Sequence, residues 1–136
     1  MSLLLDTNIL SDLRRRREGR EKLFAWRDTV AGQAKYISVM SLMEIEDGIL
    51  RSEHRHDAHV PALRMWFSSL LQQFDRATLS VDTEVALMTS RLQRIRTVPM
   101  NDAIIAATAL VHNLTVVTRD EHDFRDLGLR IINPWT

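Results

Sequence analysis

Four carboxylates stand where a folded chain pays most to keep them charged. Asp6 follows the apolar run Leu3-Leu-Leu5. Glu44 sits between Leu42-Met43 and Ile45. Asp102 opens the apolar segment Ala103–Val111. Asp120 comes two residues after Leu114-Thr-Val-Val-Thr118. An unpaired anion buried in such surroundings costs several kcal/mol or takes up a proton. Four brought together would repel, and a divalent cation removes the repulsion. Oxygen donors of this kind suit Mg²⁺ or Mn²⁺. Such an ion can activate water and stabilise charge on a phosphate under in-line attack. Each residue also has a plainer reading. Asp6 and Asp102 are good helix N-caps, with Asn101 able to share the second role, and Asp120 or Asp123 can be turn residues. Capping does not explain Glu44, although a surface stripe would.

The elements that must position these groups follow from hydrophobic periodicity and breakers. Short apolar or β-branched runs predict strands at 3–5, 35–39, 77–81, 114–118 and 129–132. Helical stripes lie between them. Ile9, Leu10 and Leu13 form one, ending in an Arg run that Gly19 breaks. Leu23, Phe24, Trp26 and Val30 form the next. Two more, around Leu42–Leu50 and Leu63–Leu71, separate the second and third strands, with Pro61 in the first turn of the latter. Asp82 or Thr83 caps a helix through about Ile95. Pro99 interrupts, and Asn101 or Asp102 opens the helix to Val111. Asp120–Leu127 reads as a polar turn or short helix. Strands alternating with helices indicate an α/β fold: a mainly parallel central sheet flanked by helices in three layers, with a two-helix insertion after the second strand. In such a sheet, sites form beyond the C-terminal strand ends, which is where all four carboxylates fall.

The chain has 136 residues, 45% hydrophobic and 26% charged, which fits one domain, 1–136, with a real core. No apolar run approaches the ~18 residues of a membrane span. The N-terminus has no basic region before its apolar stretch and reads as a strand rather than a signal peptide. With no cysteine there are no disulfides, thiolate metal sites or cysteine nucleophiles, and a cytoplasmic setting is compatible. The net charge of zero gives no global attraction to nucleic acid. The 18 basic residues nevertheless include only two Lys, Lys22 and Lys35, and Arg is the better bidentate partner for phosphate. Arg14, Arg15, Arg16 and Arg17 can contact RNA phosphates or an acidic partner, or simply end a helix in solvent. His54, His56 and His59 match neither a helical i, i+4 pair nor a finger spacing, and read as a solvated loop rather than a zinc site.

These segments resemble the PIN-domain ribonucleases, most closely the VapC/FitB-like toxins of toxin–antitoxin pairs. Leu4-Leu-Asp-Thr-Asn-Ile-Leu-Ser-Asp-Leu13 is similar to that family's first motif. Ile37–Gly48 is similar to its second, Asn101–Ala109 to its third and Val116–Phe124 to its fourth. Asn133-Pro-Trp135 resembles the tail of the FitB-like branch. The likeness runs in order along essentially the whole chain. It implies an endoribonuclease dependent on Mg²⁺ or Mn²⁺, a homodimer held in check by a cognate antitoxin. It also implies that Asp6, Glu44 and Asp102 are catalytic and metal-binding. The fourth position departs from many relatives, which have Asn where this chain has Asp120. Asp120 is the expected fourth ligand, with Asp123, Asn8 and Thr118 in support.

Two other classes compete. A haloacid-dehalogenase-like phosphatase would want Asp at position 8, and a receiver domain would want a Lys at a late strand; this chain has Asn8 and neither Lys there. A non-catalytic module binding nucleic acid or protein in a regulatory complex suits the Arg cluster, but leaves the carboxylates as an electrostatic liability.

Overall fold

A computed structural model describes residues 1–136. Its strands are β1 (Leu3–Leu5), β2 (Lys35–Ser38), β3 (Thr78–Leu79), β4 (Thr115–Val117) and β5 (Ile131–Ile132). Its helices are α1 (Thr7–Leu13), α2 (Glu21–Thr29), α3 (Val39–His54), α4 (Val60–Gln73), α5 (Thr83–Ile95), α6 (Met100–Val111) and α7 (Glu121–Phe124). The strands form one sheet in the order β3-β2-β1-β4-β5, and every neighbouring pair is parallel.

The expected three layers follow from strand alternation. Leu3 and Leu5 point to one face, Leu4 to the other, and all three are buried. On the Leu3/Leu5 face pack Ile9 and Leu10 of α1, Leu23 of α2, Ile45 and Ile49 of α3, and Phe67 and Leu70 of α4. On the Leu4 face pack Val85 and Leu92 of α5, Ala103, Ile105, Ala106 and Ala107 of α6, and Phe124 of α7. Strands buried on both faces read as continuous apolar runs, which is why β1 and β4 stand out in the sequence.

Several expectations need correction. Two helices do separate β2 from β3, yet two also separate β1 from β2 and β3 from β4. The pair after the second strand is therefore the ordinary connection of this fold, not an insertion peculiar to it. Helix α3 ends at His54, and the charged, His-rich segment turns from there into α4. Neither Asn101 nor Asp102 caps α6; Pro99 occupies that position without a side-chain cap, and Asp102 falls in the first turn. Asp82 does cap α5, accepting from the Val85 amide at 3.0 Å.

Chain direction reverses across β1. From β1 the chain moves through β2 to β3, then returns to β4 on the other side. The crevice between the ends of β1 and β4 is the switch point where ligands of open parallel sheets bind.

Candidate active site

Register assembles the site. Leu5 pairs with Val117, so Asp6 and Thr118 leave the sheet side by side. The Thr118 hydroxyl donates to Asp6 Oδ2 at 2.8 Å, and Asp6 Oδ1 accepts from the Thr7 amide at 2.8 Å. Asp6 is thus both the N-cap of α1 and a buried member of the site, 5% exposed. The capping and functional readings of this residue do not exclude each other.

Asn8, in the first turn of α1, ties the end of β1 to the end of β4. Its Nδ2 lies 3.3 Å from Asp6 Oδ2 and 3.1 Å from Asp120 Oδ2, donating to both. Its Oδ1 accepts from the Arg119 amide at 3.3 Å. The Asp120 amide in turn donates to Thr118 Oγ1 at 3.0 Å. Glu44 is oriented from two directions. Thr7 Oγ1 donates to Glu44 Oε1 at 2.9 Å, and Asn101 Nδ2 donates to Oε2 at 3.1 Å. Ser41, fully buried, stands 2.8 Å from the Thr7 hydroxyl.

Asp6, Glu44, Asp102, Asp120 and Asp123 line one pocket of about 540 Å³ that has no hydrophobic side chain in its wall. None of the five forms an ion pair with a Lys, Arg or His. The electrostatic consequence is strong. Burial, partly offset by the Thr118 and Thr7 hydrogen bonds and reinforced by Glu44 and Asp120, raises Asp6 to about 6. Burial, then repulsion from Asp6, Asp123, Glu44 and Asp120, raises Asp102 to about 7. A pocket that holds protons this tightly is built to receive positive charge.

The donor set fits a hard divalent cation: every candidate ligand is a carboxylate oxygen, with amide and hydroxyl groups orienting them. The acidic groups line an open pocket rather than closing into a ready cage. That arrangement suits Mg²⁺ or Mn²⁺, which keep several waters and use few protein ligands. Asp120 and Asp123 both face the pocket, but they act differently. Both raise Asp102 through charge, but Asp120 also shares Asn8 with Asp6.

The Arg14–Arg17 run does not form one patch. Arg15 reaches the acidic pocket. Arg14 turns to the other side, stacking 5.5 Å over Trp66 beside an apolar groove. Arg17 pairs with Asp28 at 3.4 Å in solvent, and Arg16 offers its carbonyl to Arg20. Helix α1 ends at Leu13, so the run leaves in irregular backbone and its side chains diverge. His54 ends α3, His56 adopts a positive φ of 55°, and His59 precedes α4, all three exposed.

Sequence reasoning passed over Thr7, Ser41, Asp12, Arg20 and Arg119, all of which surround the pocket or its supports. One signal was available. Asp12 lies four residues after Asn8 and interrupts the stripe of Ile9, Leu10 and Leu13, so it shares the Asn8 face of α1.

Comparison with known proteins agrees with this geometry. The PIN domain family profile matches residues 3–129. The chain is 30% identical to Toxin FitB of Neisseria gonorrhoeae, with 98% of each chain covered. It is 31% identical to VapC ribonuclease Y4jK of Sinorhizobium fredii, covering 98% of this chain and 97% of that one. Among solved structures it superposes on FitAB bound to an IR36 DNA fragment with a TM-score of 0.79 at 26% identity, covering 98% and 96%. The motif order, the parallel sheet, the acidic pocket at its switch point and these matches together place the chain in the PIN-domain family.

Proposed function

We propose that this chain is an endoribonuclease dependent on Mg²⁺ or Mn²⁺ that serves as the toxin of a toxin–antitoxin pair. The observation that carries the reading is the convergence of Asp6, Glu44, Asp102 and Asp120, from four separate segments, in one polar pocket where none of the four is ion-paired. The relatives called a toxin and a VapC ribonuclease support it. A bound divalent cation would supply charge neutralisation at the phosphate and acidify a water. Asp6, Glu44, Asp102 and Asp120 would hold it. Thr118 and Asn8 keep Asp6 Oδ2 aimed at the pocket, and Thr7 and Asn101 do the same for Glu44.

The same reading makes the chain a homodimer in the cytoplasm with a protein antitoxin as partner. Exposed apolar side chains on α3 (Met43, Leu50) and α5 (Leu87, Ile95) are available for protein contact. No helix is long and apolar enough to cross a membrane. The test is cleavage of a cellular RNA pool by pure protein with Mn²⁺, with Mg²⁺ and with chelator, beside Asp6→Asn. Discrete fragments that need metal and vanish in the variant are expected. Metal-dependent cleavage retained in both Asp6→Asn and Asp102→Asn would sink the assignment.

A further inference from the structure

The pocket has a second half of opposite sign. Asp12 is only 6% exposed, and its carboxylate lies between two guanidinium groups. Arg20 Nε is 3.6 Å from Oδ1, and an Arg119 terminal nitrogen is 3.2 Å from Oδ2. Asp12 Oδ2 has no aligned hydrogen-bond donor, so charge rather than a bidentate fork holds the arginines there. Donors on both guanidinium groups therefore stay available.

Both arginines are held from behind. Arg20 donates to the carbonyls of Arg16 and Glu18 at 3.2 and 3.5 Å. Arg119 lies 5.6 Å over the Trp135 ring, its amide donates to Asn8, and its carbonyl accepts from Asn133 Nδ2 at 3.4 Å. Both side chains line the same pocket as the carboxylates, and Arg15 joins them. One buried carboxylate cannot neutralise three guanidinium groups, so this end of the pocket is cationic beside an anionic end.

A polyanionic chain crossing the pocket meets both ends. The carboxylates repel a phosphate unless a cation intervenes; the arginines attract the next phosphate directly. We propose that Arg15, Arg20 and Arg119 form a subsite for the phosphate adjacent to the scissile one in a single-stranded RNA. Asp12 is the positioning residue that keeps Arg20 and Arg119 there. The inference rests on the ribonuclease reading above and names how its substrate is held.

The experiment measures binding and turnover separately. Binding of a labelled single-stranded RNA oligonucleotide is followed by fluorescence anisotropy in the Asp6→Asn chain with Mg²⁺, over a range of salt. Adding Arg20→Gln or Arg119→Gln should weaken binding about fivefold and reduce the salt slope by ~0.7, the value for one phosphate contact on a single strand. Arg94→Gln, an exposed arginine on α5 outside the pocket, should change neither quantity. In the otherwise native chain, Asp12→Asn should raise KM several-fold with kcat and calorimetric Mn²⁺ binding preserved. Unchanged RNA affinity and salt slope in both arginine variants overturns the subsite, even if those variants lose affinity for an acidic protein. A fall in kcat or Mn²⁺ binding without a change in KM overturns the role given to Asp12. Absence of RNA binding in Asp6→Asn, together with absence of cleavage by the native chain, overturns the ribonuclease reading itself.

Discussion

Replacing Asp6 with Asn should stabilise the metal-free protein at pH 8 and leave its stability nearly unchanged at pH 4.5. In the unfolded chain Asp6 ionises near 3.8, and in the folded chain near about 6. Between those values the folded state binds more protons than the unfolded state, so stability falls as pH rises. The contribution is fully present below the unfolded value and is lost as pH rises through the folded one. A shift of roughly two units at 1.36 kcal/mol each amounts to about 3 kcal/mol at pH 8. Asn cannot ionise and escapes that loss. It remains a good N-cap, but its amide nitrogen meets the Asn8 amide where a carboxylate oxygen accepted, at a cost of about 1 kcal/mol. At pH 4.5, about 0.7 unit above the unfolded value, the native chain has already lost about 1 kcal/mol, so the net is about 2 kcal/mol of stabilisation at pH 8 and about zero at pH 4.5. For a domain of this size ~3 °C accompanies each kcal/mol. Thermal melts in chelator should therefore show Asp6→Asn about 6 °C above the native chain at pH 8 and level with it at pH 4.5. Mn²⁺ should then erase the advantage at pH 8 by stabilising only the native chain. A variant destabilised equally at both pH values would refute the argument, because the burial of Asp6 would then carry no electrostatic penalty.

Three further outcomes follow from the same geometry. Thr118→Val removes the hydroxyl 2.8 Å from Asp6 Oδ2 in a fully buried setting; metal affinity or activity should fall ~10–100-fold, read by calorimetry and RNA cleavage. Mn²⁺ binding should release protons from Asp6 and Asp102, roughly one to two per ion near pH 6 and almost none near pH 8.5, measured by calorimetry in buffers of differing ionisation heat. Ala106→Leu places a large side chain where α6 is fully buried; it should destabilise the fold by about 1–3 kcal/mol in denaturant melts and lower activity by displacing Asp102.

Much of the acidic centre was legible because its residues break apolar patterns. Asp6 follows a strand buried on both faces, Glu44 interrupts the apolar stripe of α3, and Asp102 sits in the first turn of an alanine-rich helix with a long buried face. Exact element ends were less legible, since β3 and β5 are two-residue strands defined by their pairing and not by composition. The cationic half was hidden for a different reason. Arg20 and Arg119 are far apart in sequence and ordinary in type, and their significance comes from Asp12, whose burial depends on both. Runs of like charge, by contrast, attract notice but carry no rule that their members point the same way. Arg14 and Arg15 are neighbours that serve opposite sides of α1.

The parallel pairing of Leu5 with Val117 sets a condition in time. During synthesis, Asp6 emerges more than a hundred residues before Thr118 and Asp120, roughly ten seconds at ordinary ribosome speeds. Through that interval β1 has no β4 to lie against, and Asp6, Asn8 and Asp120 cannot meet. A chain broken off before residue 115 contains three of the four principal carboxylates and still has no centre. The acidic pocket is therefore a property that only a chain extended through β4 and Asp120 can acquire.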